Sequence, residues 1–166
     1  MSRRTMVARH MPHRELAPSV VDGYPPSALC VECGGQCCKK LPGCAHPEDF
    51  NNADEGAIRT ALKSGKWVID WCGEDDLYFL RPATVHGEAI FDPSFGGTCV
   101  LLTPKGCSLD FDQRPRGCRM LEPRPLEIGC TTDYGKPEAI RDWAPYYDML
   151  DRVGHEVLEV REEVLL

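Results

Sequence analysis

Cysteine is the residue type that points most clearly to chemistry in this sequence. Ten of the 166 residues are cysteine, which is far above ordinary usage. Two kinds of chemistry use cysteine at this density: disulfide bonds in an oxidising compartment and thiolate–metal bonds in a reducing one. No apolar signal-peptide core follows the opening stretch MSRRTMVARHMPHREL. We therefore expect a cytoplasmic protein whose thiols stay reduced and bind metal.

The first cysteine cluster reads C-V-E-C-G-G-Q-C-C and supplies Cys30, Cys33, Cys37 and Cys38. A C-x2-C step lets two sulfurs reach one ion from a tight turn, as in zinc knuckles and iron–sulfur loops. The two glycines after Cys33 permit positive φ and let backbone N–H groups point at sulfur. Because adjacent side chains point in different directions, we expect Cys37 and Cys38 not to serve one mononuclear ion equally. Four cysteines this close together predict a metal site without naming the metal.

A second, sparser cluster consists of Cys99, Cys107 and Cys118, the last of them inside the stretch R-P-R-G-C-R. Four thiolates around a divalent ion leave about −2 of formal charge, which nearby cations would offset while lowering the thiol pKa values. We assign this supporting role to the three arginines of the stretch, Arg114, Arg116 and Arg119. The alternative is that they form ordinary surface ion pairs, which contribute little.

The remaining candidates are weaker. Cys44 and His46 could act together as mixed sulfur and nitrogen ligands, but a loop histidine with no such role is an equal alternative. Cys72 and Cys130 are best interpreted as small buried apolar residues.

Taken in order, these motifs resemble the YkgJ-type cysteine-cluster family, whose members are described as zinc- or iron-chelating domains. The family pattern is C-x2-C-x2/3-C-C, followed by a cysteine, an apolar pair, a Gly-Cys and R-P-x-x-C-R. The match spans about residues 28–125, and an aromatic-proline pair of the family is replaced by Met120 and the residues after it. The matching positions are Cys30, Cys33, Cys37, Cys38, Cys99, Leu101, Leu102, Gly106, Cys107, Arg114, Pro115, Cys118 and Arg119.

The resemblance implies a zinc or iron site, with an iron–sulfur cluster as an alternative, but it implies no reaction. One set of relatives, the flagellin lysine N-methylases, joins a similar cluster to protein methylation. This sequence has no glycine-rich strand–turn–helix that would hold a methyl donor. Seven mapped cysteines exceed the four that one structural zinc requires, and the surplus favours two ions or a cluster.

Three functional classes follow from these observations. The first is a metal-binding protein of unassigned reaction. The second is an iron–sulfur-dependent enzyme that acts in redox chemistry or modifies a protein or small molecule. The third is a zinc-stabilised protein-interaction module. The protein or small-molecule partner is left open.

The elements that must position the cysteines are short. Asn51, Asn52 or Asp54 can cap a helix that ends near Gly65, and strand-like runs follow at 67–70, 77–80 and 86–92. A hairpin is expected around residues 104–106 and a largely irregular stretch over 114–125. Helical periodicity begins at Pro137, with a kink or restart at Pro145 and a further helix after Gly154. We predict a small α+β domain over residues 28–166 with short strands, C-terminal helices and an irregular centre organised by metal.

Charge and hydropathy narrow the partners. The net charge of −7 argues against nucleic acid, whose phosphates require a basic face. No apolar run reaches the ~20 residues of a membrane span, so we expect no membrane association. Residues 1–27 are interpreted as a flexible tail, basic over its first sixteen residues, where four arginines face one glutamate.

Overall fold

The computed structural model describes residues 22–94 and 96–165. It confirms the predicted α+β class, with short antiparallel strands and C-terminal helices. The greater part of the basic tail, residues 1–21, lies outside the described residues. Within the described ranges, no helix is both long and apolar enough to cross a membrane.

The main core is built on one hairpin and three helices. Strands β1 (Trp67–Cys72) and β2 (Leu77–Pro82) pair antiparallel, with Ile69 opposite Leu80. Helix α3 (Glu55–Lys63) packs beside them. It starts where the Asp54 carboxylate accepts the backbone N–H of Ala57 at 2.8 Å, as the capping prediction required.

The C-terminal helices pack against strand β2 of the hairpin, and the longer of them also packs against α3. Helix α5 (Lys136–Trp143) ends in a 3₁₀ turn around Pro145, and helix α6 (Tyr147–Val164) begins directly after it. The restart predicted at Pro145 is therefore confirmed. The separate helix expected after Gly154 is wrong, because Gly154 lies buried inside a continuous α6.

The cysteine-bearing segments are made of much shorter elements. Helices α1 (Ala28–Cys33) and α2 (Gln36–Lys40) carry the first cluster, and neither contains a buried residue. Strands β3 (Leu102–Thr103) and β4 (Gly106–Cys107) form the predicted small hairpin. Helix α4 (Arg116–Arg119) carries Cys118, and strands β5 (Leu121–Glu122) and β6 (Thr131–Thr132) pair after it.

The strand expected at 86–92 does not form. Residues 85–89 are exposed, and only Phe91 makes an isolated bridge, to Ile69. Ile90 is fully buried with a φ of +68°, a left-handed conformation that is unusual for a β-branched residue. The chain turns sharply there, because the N–H of Phe91 bonds to the carbonyl of Ala89 at 2.8 Å.

Candidate metal centre

All seven cysteines predicted to bind metal line a single cavity of about 380 Å³, which we call the cysteine cavity. The two clusters meet through the backbone, where the N–H of Cys99 donates to the carbonyl of Cys38 at 2.7 Å. The fold thus brings together segments about sixty residues apart. The seven residues are Cys30, Cys33, Cys37, Cys38, Cys99, Cys107 and Cys118.

Two glycines shape the first cluster. Gly34 and Gly35 have φ values of +60° and +77°, so α1 stops and α2 starts within two left-handed residues. A β-carbon on Gly35 would lie 2.9 Å from Cδ1 of Leu102, so the close contact between the two clusters also depends on glycine. At the start of α1, the backbone N–H of the capping residue Ser27 donates to the Cys30 sulfur at 3.5 Å. This donor stabilises negative charge on that sulfur.

Cys37 and Cys38 place their sulfur atoms 3.9 Å apart. Two thiolates on one tetrahedral ion with metal–sulfur bonds of about 2.3 Å would be about 3.8 Å apart. The separation is therefore compatible with a shared ion, which our expectation for adjacent cysteines disfavoured. The hydrogen bond from Cys38 lowers the pKa of the Cys37 thiol to about 6, and Arg114 acts in the same direction. The same bond, with burial, raises the pKa of Cys38.

Cys118 is held by a close backbone approach to Gly43, in the segment that follows the first cluster. A β-carbon on Gly43 would lie 2.5 Å from both the N and the Sγ of Cys118, so only glycine fits there. Burial, together with the neighbouring Cys99 and Cys107, raises the pKa of the Cys118 thiol to about 12. The pKa of Cys99 is likewise raised by burial. A cation among these thiols would reverse both effects, because it favours the charged sulfur.

The three arginines of the R-P-R-G-C-R stretch take different positions. Arg114 lines the cysteine cavity. Arg116 pairs with Glu48 at 3.5 Å, and Arg119 pairs with Asp49 at 2.9 Å. Only Arg114 is therefore placed to offset thiolate charge directly, whereas the other two tie α4 to the 3₁₀ turn at Pro47–Phe50.

Asp49 is a positioning residue that the sequence reasoning missed. Its carboxylate accepts the backbone N–H groups of His46 and Arg116, both at 2.8 Å, and the Arg119 guanidinium. It thereby fixes the start of α4 and, with it, Cys118. A single acidic residue in a Pro-Glu-Asp turn carries no sequence signal for bonds to a helix about seventy residues away.

The other sulfur and nitrogen candidates lie outside the cysteine cavity, with one exception. Cys44 is buried and lines a neighbouring cavity together with Cys30, Cys33, Cys37 and Cys130. His46 accepts the N–H of Glu48 at 3.1 Å and faces Asp142. Cys72 ends β1, away from the cavity, and is not fully buried. Cys130 is the exception: it lines the cavity beside the seven predicted cysteines, and like Cys72 it is only partly buried, so the expected full burial is wrong for both.

The donor set suits a thiophilic metal. Eight thiols surround one space and supply the soft ligands that zinc and iron–sulfur centres use. Arg114 lines the same space, and backbone hydrogen bonds reach the sulfur atoms of Cys30, Cys99 and Cys118. In the described part of the chain, no three Cys, His, Asp or Glu side chains already converge at metal-binding distance. The thiols line the cavity without closing on one point, and side-chain rotation would have to bring them together.

A family model described as "CxxCxxCC: Putative zinc- or iron-chelating domain" matches residues 29–135, well over half of the chain. The chain belongs to this family. The match extends about ten residues beyond the resemblance found in the sequence and includes Cys130. Membership supports binding of zinc or iron. No curated protein and no solved structure matches the chain.

Proposed function

We propose that this protein is a cytoplasmic metal-binding protein whose cysteine cavity holds zinc or iron. The observation that carries the proposal is the convergence of eight cysteines, from four short segments, on one cavity. Burial raises the pKa values of Cys99 and Cys118, so these thiols are poor anions until a cation joins them. A bound metal would supply that cation and would stabilise segments that have little apolar core of their own.

The cysteines divide into two groups of four, which bears on how many metal ions are bound. Cys38, Cys99, Cys107 and Cys118 line only the cysteine cavity, whereas Cys30, Cys33, Cys37 and Cys130 also line a neighbouring cavity. Four thiolates complete the shell of one zinc ion or one iron–sulfur cluster. Eight thiols are four more than one structural zinc ion requires. Two metal ions, or one cluster with additional thiols beside it, account for these extra thiols better than a single zinc ion.

An iron–sulfur enzyme is the second candidate. It is supported by the number of thiols and by the backbone N–H groups directed at sulfur, which tune clusters of this kind.

The decisive experiment is anaerobic purification followed by metal analysis and absorption spectroscopy. Absorption near 400 nm with stoichiometric iron would identify an iron–sulfur protein, and a colourless protein with stoichiometric zinc would identify a zinc protein. Cys99→Ser and Cys107→Ser should each lower the metal bound per chain. Cys72→Ser is the matched control, because Cys72 lies outside the cysteine cavity. Unchanged metal content in both test variants would refute the assignment of Cys99 and Cys107 as ligands, and wild-type protein purified without zinc or iron would refute the proposal.

A further inference from the structure

A second cavity of about 410 Å³ adjoins the cysteine cavity, and we call it the adjoining cavity. It separates the eight cysteines of the cysteine cavity into two groups. Four of them line both cavities, and we call them the shared cysteines: Cys30, Cys33, Cys37 and Cys130. The other four line the cysteine cavity but not the adjoining one, and we call them the inner cysteines: Cys38, Cys99, Cys107 and Cys118.

The inner cysteines are electrostatic neighbours of one another. Besides the hydrogen bond from Cys37 and burial, the Cys118 and Cys99 thiols raise the pKa of Cys38. Besides burial, Cys99 and Cys107 raise the pKa of Cys118, and Cys107 also raises the pKa of Cys99. Like charges act on a pKa in this way when they are close together. The inner cysteines therefore form a group in space as well as by the cavity that they line.

The shared cysteines come from three short elements around the wall between the two cavities. Cys30 and Cys33 are three residues apart on α1 and so lie on one face of that helix. Cys37 lies on α2, and Cys130 directly precedes β6, after the left-handed Gly129. A C-x2-C step joined by two cysteines from other segments is a usual way to build a four-sulfur site.

Sulfur is the metal ligand that both cavities offer. In the described part of the chain, no histidine, aspartate or glutamate lines either cavity. A tetrahedral ion takes four thiolates, so one ion would leave four of the eight thiols unused beside it. Cys44 lines only the adjoining cavity and belongs to neither group.

Both cavities also have a cationic side chain in their lining. Arg114 lines the cysteine cavity, and Lys40 lines the adjoining cavity. Four thiolates around a divalent ion leave about −2 of formal charge, which a nearby cation offsets in part. Two four-sulfur centres would therefore each lie near a positive charge.

From these observations we propose that the chain binds two metal ions: an inner ion held by the inner cysteines and an outer ion held by the shared cysteines. This inference rests on the proposed function and deepens it, because it sets the number of ions and makes Cys130 a ligand.

The outer ion should exchange more readily than the inner one. Its ligands lie on α1 and α2, which contain no buried residue, and next to a loop whose residues 124–128 are all exposed. Two inner ligands are tied to the core instead. The N–H of Val100, next to Cys99, donates to the carbonyl of the buried Ala83 at 2.9 Å, and Asp49 holds the helix that carries Cys118. Segments with few buried contacts open at a lower free-energy cost.

The first test counts the ions. Metal is removed from the full-length protein under anaerobic, reducing conditions, and Cd²⁺ is titrated back while ¹¹³Cd NMR and sulfur-to-metal absorption are recorded. We expect saturation at two Cd²⁺ per chain and two NMR signals of equal area. Saturation at one Cd²⁺ with one signal would overturn the two-ion proposal and leave metal binding by the cysteine cavity intact. Absence of sulfur-bound Cd²⁺ would refute both.

Variants assign each ion to its ligands. Cys130→Ser should weaken binding of one Cd²⁺ at least tenfold and leave the other NMR signal in place, and Cys107→Ser should do the reverse. Cys72→Ser is the matched control, because Cys72 lines neither cavity. If both variants weakened the same ion, or both ions together, the eight thiols would form one centre and the proposal would be wrong.

Two further measurements complete the test. Far-UV circular dichroism checks that each variant keeps its helices, and Cys33→Ser and Cys99→Ser replace any variant that does not. EDTA added to the two-ion protein should remove one ion at least tenfold faster than the other, and this fast phase should be absent from Cys130→Ser. Release of both ions at one rate would contradict the exchangeable outer ion.

Discussion

At the scale of single residues, a cluster of three buried charges outside the metal centre stands out, because buried charges are costly to desolvate. Arg81 donates from Nε to Asp70 at 2.8 Å, and its Nη2 lies 3.1 Å from Oδ2 of Asp92. All three side chains are almost wholly excluded from solvent. Burial raises the pKa of Asp70; it also acts on Asp92, but hydrogen bonds from Ser94 and Arg81 outweigh it and lower the pKa of Asp92.

Replacing Arg81 by methionine should destabilise the protein by about 3–5 kcal/mol at pH 7, because two carboxylates then remain buried without their cation. Without Arg81, the folded-state pKa values of both carboxyls rise above their unfolded values. The folded variant then binds more protons than the unfolded chain, so its stability falls as pH rises. The loss should therefore be smaller at pH 5 than at pH 7 in urea denaturation.

Arg152→Met is the control for this prediction. Arg152 is exposed and pairs with Glu55 and Glu156 on the surface, where ion pairs contribute little. If Arg81→Met is as mild as Arg152→Met, the buried cluster does not have the structural role assigned to it.

The sequence was informative about residues wherever spacing was the signal. The ordered pattern that runs from C-x2-C-x3-C-C through the Gly-Cys to R-P-x-x-C-R identified seven cysteines that the fold brings to one cavity. Cys130 was missed because it stands alone in sequence and joins the others only through the β5–β6 hairpin. Asp49 was missed because its partners on α4 are distant in sequence.

At the scale of elements, the buried side of α6 packs closely against its neighbours at Gly154. A β-carbon there would lie 2.4 Å from Cζ of Phe91 and 2.8 Å from Cδ1 of Ile69. Glycine usually weakens a helix interior by about 1 kcal/mol relative to alanine. Here it allows the helix to approach the hairpin, so the sequence-based break at Gly154 was a misinterpretation of a packing glycine.

Gly154→Ala should destabilise the protein by about 1–3 kcal/mol, because overpacking outweighs the gain in helix propensity. Gly56→Ala should instead be neutral or stabilising by up to about 1 kcal/mol, since Gly56 is exposed in α3 and its nearest neighbour is Oδ1 of Asp54 at 3.3 Å. Urea midpoints of the two variants test the contrast. If Gly154→Ala and Gly56→Ala stabilised the protein equally, α6 would have room for a side chain at Gly154 and the close packing there would be refuted.

Elements were predictable where local signals agreed with packing. The Asp54 cap and Gly65 defined α3, and Pro145 defined the boundary between α5 and α6. The strand expected at 86–92 failed because the chain turns at Ile90, whose left-handed backbone is imposed by tertiary contacts. The cysteine segments had no periodicity to interpret, so α1, α2 and α4 could not be foreseen.

At the scale of the whole molecule, the core and the cysteine segments are separate. The buried apolar core is formed mainly by α3, the β1–β2 hairpin, α5 and α6. Helices α1 and α2 contribute no buried residue. Ordering each residue of these segments costs about 1–2 kcal/mol in backbone entropy alone. Metal ligation is the interaction available to offset that cost.

Removing metal under reducing conditions should therefore disorder the cysteine segments while much of the helical signal survives. The sequence predicts exposure over residues 34–47 and 104–125, because both segments are broken by glycine or proline and contain few large apolar residues. The structure limits the part of the second segment that should become exposed. Asp49 bonds to Arg116 and Arg119, and these bonds hold α4 to the core whether or not metal is bound. Trypsin should cleave faster after Lys39, Lys40 and Lys105, while far-UV circular dichroism falls only partly. Continued protection of both segments would mean that the metal is not structural there.

The central claim is that cysteines from both clusters hold one metal centre, and X-ray absorption at the metal edge tests it most directly. For a zinc site the wild-type protein should show a shell of about four sulfur atoms at about 2.3 Å. Cys118→Ser should then lose about one sulfur from the shell or lose the metal, whereas Cys72→Ser should keep the wild-type shell. A first shell made only of oxygen and nitrogen, or an unaltered sulfur shell in Cys118→Ser, would contradict the claim.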